Sequence, residues 1–404
     1  MKLLFVCDGL FYLRPDGKWY SALDYSIEYV LSHLPEVTEF TMWGRLKRTE
    51  KNEGNYLFPS AVGKCKVRVT GAMLKRQSRS QWPLLLIKNF LALKRQINEA
   101  SIVFLKMPHI FPCMAFHILK RNQIVVSQQI GDPAGTLPLI IPKLKGVGSI
   151  TAKYCKKIAS CADRAFFVSN ALREIYGDAD RGDIVCNEIR VTKNMIASKL
   201  NYTPHSPPRV VFVGRLSEEK GLDVLLPAIA EIKKRIDIEL WIIGKGPLRN
   251  HLELLAKDLG ITDNIKWLGH LSWGKQLFDK MAQADTLVLP SYSEGLGLTL
   301  LECLGQGLLA IGTSVGGIPE ILDNGKCGIL VPPGNAKELA NAIYRSVTDK
   351  SLRERMISKG LKQARDHCFE EETGKLITGI AELIKKDKNE RKSCKASSWN
   401  PSKR

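Results

Sequence analysis

Short apolar runs alternate with longer helix-like stretches along most of the chain. In the first half, apolar runs of strand length cover residues 3–7, 101–105, 124–127 and 164–168, and residues 21–34 have the spacing of an amphipathic helix. Alternation of this kind is typical of β–α–β units, in which each parallel strand is followed by a crossover helix. The pattern therefore predicts a parallel sheet with helices packed on its faces.

The alternation stops at residues 201–208, where three prolines lie among polar residues, and this composition predicts a linker. A second alternating set then begins. Its apolar runs are residues 209–213, 239–243, 265–268 and 286–289, and its helical stretches are residues 221–235, 247–259 and 273–282. Two doubly wound halves predict an α/β protein with a ligand cleft between its domains, at the carboxyl ends of the strands.

The length of 404 residues agrees with two domains, because a single hydrophobic core rarely grows beyond about 250 to 300 residues. We predict an N-terminal domain over residues 1–204 and a C-terminal domain over residues 205–365, followed by a helix over residues 366–384. The basic tail, residues 385–404, has no periodicity and is predicted to be disordered.

Targeting and redox signals favour a cytosolic protein. The apolar run at the N-terminus is short and ends at Asp8, which fits a first buried strand better than a signal peptide. No apolar run approaches the ~18 residues that a membrane span needs. The 10 cysteines are scattered and form no Cys-x-x-Cys pair, so we expect a reducing compartment and no structural zinc.

Positive charge is concentrated in one part of the chain. The formal net charge is +19, and residues 51–157 alone contain 18 basic and 3 acidic residues, whereas residues 201–384 contain 22 basic and 23 acidic residues. One half is therefore expected to meet an anionic partner while the other is electrically neutral. A nucleic acid, an anionic membrane surface and a phosphorylated substrate are the candidate partners.

The most basic stretch, residues 73–95, mixes Lys and Arg with Trp82, Phe90 and several leucines, as interfacial membrane helices do. A core helix with a solvated basic face is the alternative, since amphipathicity marks any surface helix. Nucleic acid is the weakest candidate, because the chain has no zinc-finger spacing, no aromatic RNA-binding signature and no evident helix-turn-helix pattern.

A Gly-rich turn after the apolar run 286–289 carries the densest chemical signal. It leads into a helix that begins near Leu298, and the free N–H groups and positive dipole end of such a helix suit a phosphate. Glu294 lies in the turn and Glu302 in the helix, and carboxylates are suited to accept hydrogen bonds from sugar hydroxyls. The structural alternatives are an N-cap for Glu294 and a solvated helix position for Glu302.

A second strand–turn–helix segment, residues 211–221, contributes cations. Arg215 follows the strand and Lys220 precedes the next helix, so both can reach a cleft at the carboxyl end of the strand. Two cations at this place would neutralise a diphosphate. Together the two segments predict a nucleotide-diphosphate site in an otherwise neutral domain.

As a set, these segments resemble the C-terminal half of the GT4 glycosyltransferases, retaining sugar-nucleotide enzymes of the GT-B fold. The motifs that carry the resemblance are Gly214-Arg215-Leu216 with Lys220-Gly221, Gly244-Lys245-Gly246-Pro247, Pro290-Ser291 with Glu294 and Glu302, and Gly316-Gly317-Ile318-Pro319-Glu320. The resemblance extends in order and spacing from about residue 209 to residue 365. It implies a GT-B fold, two doubly wound Rossmann-like domains that face each other across a cleft. In such a fold, residues 1–204 would be the N-terminal, acceptor-binding domain and residues 205–365 the C-terminal, nucleotide-sugar-binding domain, and the helix over residues 366–384 would return to the N-terminal domain.

The resemblance also implies a role for each matching residue. Arg215 and Lys220 would bind the donor diphosphate, Glu294 the transferred sugar and Glu302 the ribose, with Arg215, Lys220 and Glu294 as the catalytic residues. The other implied donor-binding residues are Gly17, Gly214, Gly269, His270, Gly295, Leu296, Gly297 and Leu298. Among these, the backbone amides of residues 295–298 would serve the sugar, and residues 269 and 270 would contact the base.

The first half resembles the family only in outline. Gly17 stands where many members have a Gly-Gly pair, and Gln129 stands where members commonly have a His, so Gln129 or Asp132 is the candidate sugar contact. The Asp178-Ala179-Asp180 segment has the spacing of metal-dependent transferases, yet it lies in a polar stretch and we interpret it as a solvated loop. We therefore expect neither a divalent metal nor a cofactor.

The sequence thus predicts a retaining hexosyltransferase that moves a sugar from a nucleotide diphosphate to a lipid-linked or polysaccharide acceptor. It would act at the cytoplasmic face of an anionic membrane, in surface polysaccharide, lipopolysaccharide or glycolipid assembly, and would not bind nucleic acid. The alternatives are a sugar-nucleotide epimerase or a phosphorylase of the same fold and a transferase to a soluble acidic acceptor. A further alternative is a non-catalytic adaptor that uses its charge to bind nucleic acid or membrane.

Overall fold

A computed structural model of the chain describes residues 1–21, 26–50, 53–54, 56–73, 82–140, 145–177, 182–186, 189–197 and 205–397. The described chain forms two largely parallel sheets, one in each half, with helices packed against them. The α/β architecture that the alternating pattern predicts is therefore confirmed.

The N-terminal half contains a ten-stranded sheet. Its elements are β1 (Lys2–Leu13), β2 (Trp19–Ser21), α1 (Ile27–Ser32), β3 (Glu39–Arg48), β4 (Tyr56–Leu57), β5 (Ala61–Val62), β6 (Cys65–Met73), α2 (Trp82–Glu99), β7 (Ile102–Met107), α3 (Ile110–Phe116), β8 (Ile124–Gln129), α4 (Pro133–Ile140), α5 (Lys145–Cys161), β9 (Arg164–Phe167), α6 (Asn170–Tyr176) and β10 (Asp183–Ile184). The main path has the order β10-β9-β8-β7-β1-β3-β6-β5, with β2 paired to β1 and β4 paired to β2. The strand order therefore reverses between β1 and β7.

The C-terminal half contains a six-stranded sheet that is parallel throughout. Its elements are β11 (Arg209–Val213), α7 (Leu222–Lys233), β12 (Glu239–Ile243), α8 (Arg249–Asp258), β13 (Ile265–Gly269), α9 (Lys275–Met281), β14 (Thr286–Leu289), α10 (Leu298–Gly305), β15 (Leu309–Thr313), α11 (Ile318–Ile321), β16 (Ile329–Val331), α12 (Ala336–Thr348), α13 (Lys350–Asp366) and α14 (Phe369–Ser397). The order is β13-β12-β11-β14-β15-β16. Strands β11, β12 and β14 have the predicted bounds residue for residue, because fully buried parallel strands are continuous apolar runs.

Two separate buried clusters cover the two faces of the N-terminal sheet. Leu4 of β1 joins one cluster with Leu93 of α2 and Ile158 of α5. Leu3, whose side chain points the opposite way, joins the other cluster with residues of α1 and with Leu376 of α14. Helices α2, α3 and α5 therefore lie on one face of this sheet, and α1 and α14 lie on the other.

The first strand is longer than its apolar run predicts. The run covers residues 3–7, whereas β1 continues to Leu13 through an irregularity between Val6 and Leu10. The added part pairs with β3 and, through a hairpin, with β2. Residues 10–13 of the added part pair with these distant strands, and no local pattern reveals that pairing. Gly17 occupies the turn of this hairpin with a φ of 74°.

Helix α2 contains part of the predicted interfacial stretch, of which residues 74–81 lie outside the described residues. The helix buries Leu93 and Ile97 and exposes Ile87 and Leu91, each with 57% of its surface accessible. It therefore has both a core face and an apolar patch in solvent. Among helices of the described chain, none is long and apolar enough to cross a bilayer.

The end of the chain corrects one prediction. Helix α14 continues to Ser397, so residues 385–397, predicted to be disordered, are helical, and residues 398–404 lie outside the described residues. The reason is that Lys, Arg, Glu and Ala all favour a helix even where no apolar periodicity is present. The first part of α14 packs against β8 and β9 through residues that include Ile380.

Candidate active site

The two segments singled out in the second half meet where the strand order of the C-terminal sheet reverses. The chain runs outward from β11 through β12 to β13 and then returns to β14, on the other side of β11. The turn after β11 holds Arg215 and Lys220, and the turn after β14 holds Glu294. Such a reversal opens a crevice at the carboxyl ends of neighbouring strands, which is the usual ligand site of open α/β sheets.

Lys220 and Glu294 form an ion pair at this crevice. Lys220 Nζ lies 2.5 Å from Glu294 Oε1, and the Ser291 hydroxyl donates to the same oxygen at 3.0 Å. Only 20% of the Lys220 side chain and 13% of the Glu294 side chain are exposed. Partly buried charges are screened little by water and salt, so an anion entering the crevice would interact strongly with the ammonium group.

Arg215 lies in the same turn but extends further into solvent, with 58% of its side chain exposed. Its guanidinium donates to Glu219 Oε1 at 3.1 Å and to Ser217 Oγ at 3.3 Å. Glu219 is itself buried and also accepts from the Ser217 hydroxyl at 2.7 Å. The carboxylate therefore holds Arg215 to the turn. Sequence reasoning missed Glu219, because nothing in the run of residues 217–220 indicates which of its two Glu residues is buried.

Close backbone approach joins the turns around the crevice. A Cβ atom on Gly221 would lie 2.0 Å from the Pro290 carbonyl oxygen, and one on Gly316 would lie 1.8 Å from the Glu294 carbonyl oxygen. Both glycines also have positive φ angles, of 67° and 53°. Only glycine is compatible with these contacts, which bring the turns after β11, β14 and β15 together.

Helix α10 begins at Leu298, as the sequence predicts. Its N-cap is Gly297 in the left-handed region, with a φ of 84°, and glycine has no side chain to accept from the N–H groups of the first turn. Leu296 is buried and so anchors the turn. The N–H groups and the positive dipole end of α10 lie at the carboxyl end of β14, where they suit an anionic ligand.

Glu302 has partners of its own, one turn further along α10. Its Oε1 accepts from Trp273 Nε1 at 2.7 Å. Burial raises the pKa of the Glu302 carboxyl to about 7, and the Trp273 hydrogen bond and the charge of Arg190 partly oppose that rise. Glu294 and Glu302, expected to point toward one ligand, thus contact different neighbours.

The comparisons with known proteins concern this half of the chain most directly. Residues 198–363 match the family model described as glycosyl transferases group 1. The matched residues form a group 1 glycosyltransferase domain, called the group 1 domain below. The lipopolysaccharide core biosynthesis glycosyltransferase LpsE of Rhizobium meliloti (strain 1021) is 33% identical to the chain over 182 residues, which cover 43% of this chain and 52% of LpsE. The chain matches only 39% to 52% of the length of its first three curated relatives.

Two solved structures resemble nearly the whole chain. One is sucrose-phosphate synthase from Thermosynechococcus elongatus, with a TM-score of 0.69, 18% identity, and coverage of 96% of this chain and 98% of that one. The other is HepE of Anabaena in complex with UDP-glucose, with a TM-score of 0.63, 18% identity, and coverage of 96% and 100%. At this identity the likeness concerns the fold, which is GT-B, as the sequence predicts.

Gly214 follows β11, Gly269 ends β13, and His270 follows it. A Cβ on Gly244 would lie 1.8 Å from the Gly214 carbonyl oxygen, so the turns after β11 and β12 touch. Gly269 ends β13 with a φ of 70°, its carbonyl accepts from Gly244 N at 2.7 Å, and His270 beyond it is exposed. The structure thus brings the predicted base contacts next to the turn after β12, and their role stays a prediction.

The N-terminal domain touches the group 1 domain at Gly295. A Cβ on Gly295 would lie 2.6 Å from the carbonyl oxygen of Ile130, just after β8, and the hydroxyls of Thr136 and Ser293 lie 3.1 Å apart. The turn that carries Glu294 therefore faces the carboxyl end of β8. The closeness of the two backbone segments at this point leaves room for glycine alone.

Gln129 and Asp132, the candidate sugar contacts of this domain, have structural partners. Gln129 is buried, and its side-chain amide donates to the Gly131 carbonyl at 2.6 Å. Asp132 accepts from the backbone N–H groups of Ala134 and Gly135 at 2.9 and 3.0 Å and from the Tyr176 hydroxyl. Asp132 thus acts as the N-cap of α4 and a partner of Tyr176.

Sequence reasoning missed a polar cluster at the strand reversal of the N-terminal sheet. Arg45 Nε lies 3.1 Å from Asp8 Oδ1, and His109 Nδ1 lies 4.0 Å from Asp8 Oδ2. Asp8 lies within β1, Arg45 lies within β3, and His109 follows β7. Burial raises the pKa of Asp8, and the charge of Arg45 partly opposes that rise. The only local signal in the sequence was the position of Asp8 directly after an apolar run. Pro108, beside His109, reaches within 3.9 Å of where a Gly131 Cβ would be, so the cluster adjoins the Gly295 contact.

Glu320, the last residue of the Gly-Gly-Ile-Pro-Glu motif, also crosses between the domains. Its carboxylate accepts from Asn170 Nδ2 at 2.9 Å and from Ala171 N at 3.2 Å, at the first turn of α6. This motif residue thus joins the two domains.

Two other predicted features lie away from these contacts. Asp178-Ala179-Asp180 lies outside the described residues. Gly17 lines a cavity of 740 Å³ whose described lining belongs to the N-terminal half.

Proposed function

We propose that this protein is a retaining glycosyltransferase that moves a hexose-like sugar from a nucleotide diphosphate sugar to a lipid-linked saccharide at the cytoplasmic face of a membrane. The observation that carries the proposal is the Lys220–Glu294 ion pair at the β11–β14 crevice, next to the domain contact at Gly295. Related proteins support the substrate classes, because HepE was solved with UDP-glucose and LpsE is named for lipopolysaccharide core biosynthesis.

In the proposed reaction, the departing diphosphate is stabilised by groups that are fixed beforehand. Negative charge grows on the leaving oxygen as its bond to the sugar breaks, and preorganised cations and N–H groups lower the free energy of that state. Lys220, Arg215 and the first turn of α10 supply them. Glu294 accepts hydrogen bonds from the sugar and Glu302 accepts them from the ribose.

These cations make a divalent metal unnecessary in the proposed reaction. We therefore expect turnover to persist in excess EDTA after metal stripping. Loss of activity that Mn²⁺ or Mg²⁺ restored would mean that an ion holds the diphosphate, and the role proposed for Arg215 would be wrong.

The acceptor is proposed to enter from the N-terminal side of the cleft. Asp8, Arg45 and His109 supply carboxylate, guanidinium and imidazole groups at the strand reversal of that sheet, the usual place for a ligand. The contacts of Gly131 with Pro108 and of Gly295 with Ile130 connect this cluster with the turn that holds Glu294. A sugar hydroxyl placed there would face the donor sugar.

The outer surface of the same domain supports the membrane part of the proposal. Helix α2 contacts α3, and α3 contacts α5, on one face of the sheet. Large apolar side chains exposed on these helices are Ile87, Leu91, Ile110, Val147 and Ile150. Exposed basic residues among them are Lys88, Lys94, Arg95, Lys153, Lys156 and Lys157. Apolar side chains amid Lys and Arg suit the interface of an anionic bilayer.

The first experiment identifies the donor by thermal unfolding with a panel of UDP-, GDP- and ADP-sugars. A ligand at 100 times its dissociation constant adds about 2.7 kcal/mol to the free energy of unfolding, which is readily measured. If no nucleotide-sugar raised the unfolding temperature, the proposed function would be wrong and a non-catalytic adaptor would be favoured.

The second experiment incubates the stabilising donor with and without a lipid-linked saccharide fraction. We expect sugar in the lipid fraction only when acceptor is present. Conversion of the donor alone would indicate an epimerase, cleavage that requires inorganic phosphate would indicate a phosphorylase, and transfer only to soluble acidic saccharides would contradict the membrane acceptor.

A further inference from the structure

Trp273 is held in place on three sides, although it belongs to none of the motifs. Its indole N–H donates to Glu302 Oε1 at 2.7 Å, and its ring packs edge-to-face on Phe278 with centroids 5.3 Å apart. The Arg190 guanidinium lies 5.4 Å from the ring centroid. An indole fixed by aromatic and cationic neighbours is a rigid hydrogen-bond donor, because little side-chain freedom is left to lose.

Arg190 connects this cluster with the N-terminal domain. It lies between β10 and β11, and its guanidinium is also 5.7 Å from the ring centroid of Tyr56 in β4. One cation thus contacts an aromatic ring from each domain. The carboxylate, the indole and the guanidinium form a continuous chain from α10 to the N-terminal sheet.

We propose that Trp273 and Arg190 are positioning residues for the donor ribose, holding the Glu302 carboxylate in the orientation that accepts from the ribose hydroxyls. The proposal rests on the proposed function, in which Glu302 binds the ribose. A carboxylate has several lone-pair positions, so one hydrogen bond from the indole fixes the group and leaves positions for a diol. Neither positioning residue needs to touch the donor.

Few charged groups of the described chain lie near Glu302, so the effect of Arg190 on the pKa of Glu302 can be measured. Within the described chain, Arg190 is the charged group that lowers the pKa of Glu302, and burial keeps the pKa of the adjacent Cys303 thiol well above its usual range. On the helices packed against α10, Glu320 of α11 contacts Asn170, and Arg353 of α13 donates to backbone carbonyls of residues 285 and 346.

The groups that donate hydrogen bonds to Glu302 decide whether nucleoside diphosphate binding strengthens or weakens as the pH rises. Ribose hydroxyls and the indole N–H both donate, so they favour the ionised carboxylate. Because burial places the pKa of Glu302 at about 7, nucleoside diphosphate should bind more tightly as the pH rises through about 7. Removing the indole N–H or the guanidinium charge should raise that pKa and move the binding midpoint to higher pH.

The first test needs no nucleotide. In ¹⁵N–¹H spectra of the full chain, the Trp273 indole resonance, identified by its loss in Trp273→Phe, should titrate with a midpoint near pH 7. Arg190→Gln should move the midpoint to higher pH, whereas Arg190→Lys should keep it within a few tenths of a unit. An indole resonance that did not respond between pH 5 and 9 would overturn the proposal.

The second test measures UDP, GDP and ADP binding by calorimetry between pH 5.5 and 9. Phe at position 273 keeps the ring packing but has no N–H. If the Glu302 pKa rises by about one unit, Trp273→Phe should bind roughly fivefold more weakly at pH 7 and recover at pH 9.

Trp267→Phe is the matched control, because Arg249 lies 4.1 Å from the centroid of that ring as Arg190 does near Trp273. It should bind like the parent protein at every pH. Equal pH profiles for all variants would contradict the positioning role even if the nucleotide binds. Absence of any nucleotide binding beside a titrating Trp273 resonance would instead contradict the proposed function.

Discussion

At the scale of single residues, the proposed chemistry depends most on Lys220. The Lys220 side chain is 20% exposed and its ammonium group contacts Glu294, whereas the Arg215 side chain is 58% exposed and pairs with Glu219. Solvent screens the second cation more than the first. The two residues therefore differ in how strongly they can act on a developing negative charge.

We predict that Lys220→Ala lowers kcat/KM by about 10² or more, as for the loss of a preorganised transition-state donor. Arg215→Ala should also lower it, by a smaller factor because of solvent screening. Lys234→Ala is the matched control, since that lysine is exposed and pairs with Glu231 on the surface. Initial rates at saturating and limiting donor measure the effect, and near-normal turnover in both variants would refute the role.

The two carboxylates give a second prediction at this scale. Glu302→Ala should weaken binding of the free nucleoside diphosphate, whereas Glu294→Ala should chiefly weaken binding of the sugar-bearing donor. The reason is that each loses hydrogen bonds to a different part of the ligand, worth about 1.5 to 3 kcal/mol when one partner is charged. Calorimetry with both ligands measures the difference, and equal losses for both ligands in both variants would contradict the division.

At the scale of elements, Glu320 connects α11 with the first turn of α6. A carboxylate near a helix N-terminus interacts favourably with the unpaired N–H groups and the helix dipole. Here it also accepts from the Asn170 amide of the other domain. One side chain therefore contributes to the domain contact and to the stability of a seven-residue helix.

We predict that Glu320→Gln lowers the free energy of unfolding by about 1 kcal/mol, through loss of a charge-assisted hydrogen bond. Glu354→Gln is the control, because its ion pair with Lys350 is 3.8 Å long and exposed, and such pairs contribute little. Thermal unfolding compares the two. An unchanged Tm for Glu320→Gln would mean that the contact adds nothing to the fold.

At the scale of the whole molecule, charge divides the protein. Residues 51–157 have 18 basic and 3 acidic residues, and the group 1 domain is close to neutral. Helix α2 adds the exposed Ile87 and Leu91 to that basic half. Each Lys or Arg near an anionic bilayer contributes about 1 kcal/mol, so several together hold a protein at the surface without a spanning helix.

We predict that the protein cosediments with anionic vesicles and is released by salt, because exposed charges are screened beyond about 8 Å at physiological ionic strength. Replacing Lys88, Lys94 and Arg95 by Gln, or Ile87 and Leu91 by Ser, should weaken binding. The controls are Gln at Lys337, Lys359 and Lys362 and Ser at Leu254, all exposed in the group 1 domain. Binding that did not depend on lipid charge or salt would contradict the prediction. The other basic residues of the stretch 73–95, Lys75, Arg76 and Arg79, lie outside the described residues.

Much of the fold could be predicted because its signals are local. A fully buried strand is an apolar run, so β11 and β14 could be predicted from the sequence. A Gly-rich turn before a helix consists of consecutive residues, so the start of α10 at Leu298 could be predicted as well. The same holds for four motif glycines whose positive φ angles favour glycine, namely Gly221, Gly244, Gly297 and Gly316. The extension of β1 to Leu13 is not local, because it depends on pairing with β2 and β3.

What the sequence by itself determined is therefore the order of elements, the two-domain architecture and the segments that carry candidate chemistry. Only the tertiary structure decided which side chains meet. Lys220 and Glu294 are 74 residues apart, and Asn170 and Glu320 are 150 apart, and each pair is brought together by strand order or domain contact. Trp273, between β13 and α9, likewise contacts Glu302 in α10. Contacts of this kind depend on how distant elements pack, and that packing cannot be inferred from residues that are neighbours in the chain.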